Sequence, residues 1–244
     1  MHPLVVDNVS KQFRQGDRIV TALASVSMDV EQGEFLAVMG ASGCGKSTLL
    51  HLMAGLTRPD AGAIRVNGQD LARMPDRQLT IFRRRNIGLV FQAFNLIPTL
   101  SAEENIAMPL MLDGVNGKIA AQKVENLLNT LGLGDRRAHR PDSLSGGEQQ
   151  RVAIGRALVG GPAVLLADEP TGNLDSASSK SVCELLRDLS KNHGRTIVMV
   201  THEPSVAAFA GKVAILRDGR LVKRFSTDGA TGAEIAARYQ EALD

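Results

Sequence analysis

The chain reads as an α/β fold with a parallel core, a small antiparallel sheet beside it, and an all-helical insertion. Three observations predict this. A glycine-rich turn, Gly40–Thr48 (GASGCGKST), joins the short apolar run Phe35–Met39 to an apolar-periodic stretch, Ser47–Ala54, in the order strand, turn, helix. From Asn95 to Gly161 the periodicity is helical only, an insertion of roughly 65 residues that reads as a second lobe. After Pro162 strands and helices alternate again, as parallel sheets require.

Taken in order, Leu4–Val9 and Val26–Val30 alternate as half-buried strands, with Lys11–Gly16 between them as a polar loop carrying Phe13. The helix after the glycine turn closes at Gly55. Arg58–Gly62 is a turn, and Ile64–Val66 leads into the hairpin signal Asn67-Gly68. Asp76–Arg84 is helical, its Arg83-Arg84-Arg85 end reading as solvated, and Ile87–Phe91 is a buried strand ending at Gln92. Ser101-x-x-Glu104 forms a capping box opening Ala102–Leu112, and Lys118–Leu131 stops at Gly132. The second half of the core gives a strand at Val164–Ala167, a helix at Ser176–Lys191, a strand at Thr196–Val200 and a short helix at Pro204–Ala210. Lys212–Leu216 and Arg220–Val222 form a hairpin around Asp218-Gly219, and Thr231–Leu243 is an amphipathic helix.

With 244 residues the chain can build one large domain or two closely joined lobes. A net charge of +2 is too balanced to argue for nucleic acid. Cys44 and Cys183 make no disulfide framework and suit a reducing cytoplasm, Cys183 reading as core. No apolar run approaches the ~20 residues that span a bilayer, and MHPLVVDN lacks a basic start followed by an apolar signal core. The expectation is a soluble chain whose membrane role runs through a partner.

Gly40, Gly45, Lys46 and Ser47 fill every fixed position of the G-x-x-x-x-G-K-[ST] pattern. Such a turn aims successive backbone N–H groups at phosphate oxygens, and the following helix adds its positive end. Lys46 reaches the outer phosphates and the Ser47 hydroxyl ligates Mg²⁺. The nucleotide site is therefore expected at Gly40, Ala41, Ser42, Gly43, Cys44, Gly45, Lys46, Ser47 and Thr48, with Cys44 as a small residue within it. The apolar strand Val164–Ala167 ends in Asp168 and Glu169: Asp168 is placed to hold Mg²⁺ and Glu169 to polarise an attacking water. Leu144–Arg151 (LSGGEQQR) opens a helix with two glycines whose N–H groups are free for an anion, and Ser145 adds a hydroxyl. That pattern reads equally as a second phosphate-binding turn or a plain N-capped helix.

The same string resembles the signature of ATP-binding-cassette (ABC) ATPases, and its spacing from the phosphate loop is similar. Further landmarks of that family occur in order. Phe13 stands where the family carries an aromatic that stacks on adenine, and Gln92 matches the glutamine at the junction of the two lobes, a Mg²⁺ and γ-phosphate contact. Asp168 and Glu169 match the magnesium acid and the catalytic glutamate, Asp175 the acid of the loop crossing the dimer interface, and His202 the switch histidine. Alone, Phe13 reads as loop packing, Gln92 as a surface residue and His202 as a cap of the next helix; their joint order carries the resemblance.

The resemblance implies a P-loop NTPase with a RecA-like core, an antiparallel β subdomain and a helical subdomain. Residues 1–94 would form the first part of the core, 95–161 the signature subdomain and 162–244 the rest of the core. It implies an ATPase acting on ATP with Mg²⁺, as a head-to-tail homodimer in which Ser145, Gly146 and Gly147 of one copy close over ATP held by the other. Val90–Leu100 and Ala167–Asp175 resemble the LolD/MacB/FtsE group. That implies a membrane subunit with few transmembrane helices and a large extracytoplasmic domain, and a place on the cytoplasmic face of the bacterial inner membrane without direct insertion. Lipoprotein release or tripartite export is expected, with cell-division control as the alternative. Phe13 for the frequent tyrosine and Ala41 for the frequent proline are mild departures. An ABC protein acting on nucleic acid fits less well, because no second cassette or long coiled-coil insertion is present. A module without turnover is disfavoured by Glu169 and His202.

Overall fold

In the computed structural model, which describes residues 2–16 and 18–243, the chain begins with a long hairpin. β1 (Leu4–Gln15) pairs antiparallel with β2 (Arg18–Val30), from Leu4↔Val30 out to Gln15↔Arg18. The loop expected at Lys11–Gly16 is therefore strand as far as Gln15. Its outer part is solvent-exposed, so no apolar alternation is needed there to hold backbone pairing. β4 (Ala61–Val66) pairs with β1, and β5 (Gln69–Asp70) returns across Asn67-Gly68, both of which have positive φ (47° and 76°) as a two-residue hairpin demands. These strands form a sheet of order β2-β1-β4-β5.

The second sheet has order β10-β9-β3-β8-β7-β6. Its strands are β3 (Phe35–Met39), β6 (Ile87–Val90), β7 (Val164–Asp168), β8 (Ile197–Thr201), β9 (Lys212–Arg217) and β10 (Arg220–Ser226). All neighbours run parallel except β10, which folds back on β9. Alternation splits the core across the two faces. Phe35, Ala37, Met39, Ile197 and Met199 point into one cluster with the helices α3 (Ala102–Leu112), α4 (Gly117–Thr130), α5 (Gly146–Leu158) and α6 (Ser176–Lys191). Leu36, Val38, Val198 and Val200 point into the other, with α1 (Lys46–Met53) and the antiparallel sheet. A sheet covered on both faces explains why its central strands β3 and β8 are buried along their whole length and apolar but for Thr201.

Between β6 and β7 the chain is helical, and its entry is fixed by hydrogen bonds. Ser101 Oγ accepts from the Glu104 N–H (3.2 Å) while the Ser101 N–H donates to Glu104 Oε2 (2.8 Å), the capping box expected from the sequence. Asn105, fully buried, donates to the carbonyls of Ile97, Leu100 and Ser101 and accepts from the Ile97 N–H, pinning the segment before α3.

Arg83-Arg84-Arg85, at the end of α2 (Asp76–Asn86), is solvated only at Arg85; Arg83 and Arg84 are half-buried. Arg83 donates to Gly55 O (3.1 Å) and Arg84 to Leu112 O (2.6 Å), while Arg84 and Arg85 both lie against the Asp113 carboxylate (3.1 and 2.8 Å). The guanidinium groups thus sit at the carbonyl ends of α1 and α3, where helix dipoles favour cations. α7 (Pro204–Ala207) is shorter than expected because the chain tightens into i→i+3 bonds at Phe209 and Ala210. α8 (Gly232–Glu241) is capped by Thr231. Cys183 is core as expected, and burial pushes its thiol up to about 12.

Candidate active site

β7, β8 and β3 lie side by side, with Met39 opposite Thr201 and Asp168 opposite Val200. The phosphate-loop residues, the acidic pair and His202 therefore all leave the sheet at its carboxyl edge, where open α/β sheets place their ligands. The loop after β3 depends on two glycines. A Cβ on Gly40 would lie 2.3 Å from Leu216 O, and on Gly45, whose φ is 106°, 2.4 Å from Ala22 O. Lys46, only 6% exposed, donates to Gly40 O and Ala41 O at 3.0 Å each, which closes the loop around its ammonium. α1 starts at Lys46 without a side-chain cap, so its first N–H groups face the loop as an anion-binding end. Ala41, Ser42 and Gly43 are exposed along the rim and Thr48 is half-buried. Cys44 is buried against the loop, and its thiol is raised by that burial against the pull of Lys46.

Ser47 Oγ donates to Asp168 Oδ1 at 3.4 Å. Burial pushes the Asp168 carboxyl up, offset in part by His51 and by the Ser47 hydroxyl. A desolvated carboxylate and a hydroxyl meeting beside a phosphate-binding loop are hard oxygen donors short of positive charge, which fits Mg²⁺. Glu169 follows with φ 43°, a left-handed backbone rare for a non-glycine residue, and its N–H donates to Val200 O (3.0 Å). Its Oε1 lies 3.0 Å from His202 Nδ1 across the two strand ends. His202 thus bonds Glu169 and does not cap α7, whose N-cap is Glu203 without a side-chain bond. A carboxylate fixed against an imidazole at the mouth of an anion site can orient a water and pass on a proton.

The remaining candidates sit apart from this centre. Gln92 reaches the loop after β7, where its Nε2 donates to Asn173 Oδ1 at 3.2 Å. Phe13, 45% exposed on β1, carries Lys11 Nζ 5.4 Å from its ring centroid, on the hairpin whose Ala22 abuts Gly45. Ser145 is the exposed N-cap of α5 in a capping box with Glu148, so its oxygen already accepts one N–H while its hydroxyl hydrogen stays available. Leu174 and Ser178 lie beside Gly146 and Gly147, and neither belongs to Gly40–Thr48. Asp175 caps α6, accepting from Ala177 N, Ser178 N and Ser178 Oγ, and these bonds hold its carboxyl below the usual range. Sequence reasoning missed Asn173, Gln150 and Arg156, which brace this region. Gln150 alone carried a local signal, a polar residue four positions before Ile154 on the buried side of α5.

The ABC transporter family profile matches residues 23–172. An uncharacterised ABC transporter ATP-binding protein of Mycobacterium tuberculosis is 46% identical, covering 94% of this chain and 93% of its own. The lipoprotein-releasing system ATP-binding protein LolD of Geobacter metallireducens is 47% identical, covering 90% and 97%. The macrolide export protein MacB of Neisseria gonorrhoeae is 40% identical over 96% of this chain but only 36% of its own length. Among solved structures, the ATP-binding cassette MJ0796, a post-hydrolysis dimer with ADP and Pi, superposes with a TM-score of 0.83 at 38% identity, covering 93% of this chain and 99% of that one. The chain belongs to the ABC transporter family, as an ATPase among its ATP-binding proteins and of the LolD/MacB-like type.

Proposed function

We propose that this ATPase works as a head-to-tail homodimer that closes on ATP and drives a membrane partner in lipoprotein release or tripartite-type export. One observation carries the reading. Ser145 is exposed and Gly146 and Gly147 are half-buried at a helix N-terminus whose near neighbours are Ser178 of α6, Leu174 of the loop after β7 and Phe94 of the loop after β6, none of them in Gly40–Thr48, so the phosphate loop it serves is that of a second copy. The dimeric MJ0796 cassette supports it.

In this reading residues 95–161 form the signature lobe between the two parts of the core, 1–94 and 162–244. Lys46, Ser47 and the backbone N–H groups of Gly40–Thr48 hold the phosphates, and Phe13 stacks on the base. Ser47, Asp168 and Gln92 would hold Mg²⁺, which when bound neutralises charge on the outer phosphates. Glu169 orients and deprotonates the attacking water, His202 fixes the Glu169 carboxylate, and His202 and Gln92 sense the γ-phosphate. Asp175 stabilises its loop at the boundary between copies. Because ATP binds the closed pair more tightly than the open one, its hydrolysis releases the pair and moves the partner.

Among the described residues no helix is long and apolar enough to cross a membrane. The likeness to LolD and MacB supports a place on the cytoplasmic face of the bacterial inner membrane, held there by the partner. Reconstitution in vesicles with candidate membrane subunits tests this reading. Turnover is expected to rise several-fold over the chain alone with a subunit of few transmembrane helices and a large extracytoplasmic domain. Stimulation only by a multi-span permease would contradict the proposal.

A further inference from the structure

The loop bearing Gln92 and the loop bearing Asn173 are anchored at their bases and joined by an exchangeable contact at their tips. Gln150, fully buried in α5, donates to Pro170 O at 2.7 Å and lies 3.5 Å from Phe91 O, and so holds the start of both loops. Arg156, further along the same helix, donates to Phe94 O (2.9 Å) and Asn95 O (2.6 Å), residues kept in the left-handed region at φ 55° and 52°. Two successive left-handed non-glycine residues persist only when the surroundings enforce them. At the tips, Gln92 Nε2 donates to Asn173 Oδ1 (3.2 Å) and Asn173 Nδ2 donates back to Gln92 O (3.1 Å). The amide lies so close over Gly172 that a Cβ there would stand 2.6 Å from Gln92 Nε2. Gln92 and Asn173 are both exposed, so water competes for these bonds and they exchange easily.

We infer that Asn173 is a positioning residue that holds the Gln92 amide against Gly172 in the open chain and releases it when ATP closes the dimer. The inference rests on the proposed role of Gln92 at the γ-phosphate. An amide turned toward nucleotide gives up the Asn173 bond, so the pair opposes closure and sets the ATP concentration at which closure occurs. The bases on α5 do not have to move for this exchange, which confines the switch to one side-chain pair.

The test uses the full chain carrying Glu169→Gln, with the dimer fraction followed by sedimentation as ATP is raised. Adding Asn173→Ala is expected to lower the ATP midpoint about three- to tenfold, the worth of the one hydrogen bond that the Gln92 amide gives up on turning, since the second bond goes to the Gln92 main-chain carbonyl. Asn173→Asp, which keeps the acceptor for Gln92 Nε2, is expected to fall between. In a Gln92→Ala background the Asn173→Ala shift is expected to shrink to about twofold or less, the non-additivity of a directly coupled pair. An unchanged or raised midpoint with Asn173→Ala, or an equal shift with and without Gln92, would overturn the inference while leaving the ATPase reading intact. Failure of Glu169→Gln itself to dimerise with ATP would overturn that reading, and the positioning role with it.

Discussion

Glu169→Gln lowers ATP turnover by about 10²–10⁴-fold, the range for removing a positioned general base. Nucleotide affinity stays within a few-fold of the unsubstituted chain, since Glu169 sits outside the phosphate loop. The amide keeps the size of the carboxylate and can still bond His202, now 3.0 Å from Oε1, so the geometry of the strand ends survives and only the base is lost. The left-handed backbone at Glu169 is unaffected for the same reason: its N–H to Val200 O and the acceptance by its carbonyl of the Gly172 N–H, both 3.0 Å, are main-chain bonds. Single-turnover release of phosphate measures the effect directly. Turnover within threefold of the parent would remove Glu169 from its role.

Lys46→Ala has the second large effect, on binding. The residue is 6% exposed and its ammonium bonds the carbonyls of Gly40 and Ala41, leaving one N–H for the anion the loop is built to hold. Charge-assisted hydrogen bonds contribute about 1.5–3 kcal/mol each, so losing the lysine lowers ATP affinity by about 10–100-fold or more. The change also leaves two loop carbonyls without their donor, which costs about 1–3 kcal/mol for each that stays dry. Fluorescent-nucleotide titration and urea unfolding, run on the same sample, separate the two losses. Lys46→Arg restores charge but not the compact fit, and is expected to recover stability more than affinity.

Where structure followed from local chemistry, the sequence was sufficient. The Ser101/Glu104 box, the Asn67-Gly68 hairpin and the Ser176–Lys191 helix appear at the expected residues because capping oxygens and positive-φ turns act within a few residues. Ser145-x-x-Glu148 and Thr231-x-x-Glu234 carried the same signal for α5 and α8. Distant partners left no such trace. The outer half of β1 lacks alternation because solvent lies against it, and the roles of Arg83–Arg85 depend on Gly55, Leu112 and Asp113. At the site, the phosphate loop was legible from its own pattern. The pairing of Glu169 with His202, 33 residues apart, arises only because β7 and β8 are neighbours in the sheet. Asp175 shows the converse, since its local geometry is that of a helix cap whatever it meets across a dimer.

The claim that each site is shared between two copies has a direct measurement: the mass of Glu169→Gln and of Glu169→Gln/Ser145→Arg at saturating ATP, with nucleotide binding followed in the same samples. Ser145 is exposed and its side chain bonds Glu148 in its own helix, not a residue of Gly40–Thr48, so the arginine leaves ATP binding to each single copy intact. A dimer is expected for Glu169→Gln and a nucleotide-bound monomer for the double variant, with Ser145→Thr, which keeps the cap and the hydroxyl, still dimeric. A double variant that dimerises as readily as Glu169→Gln, or one that loses ATP as a monomer, would contradict it.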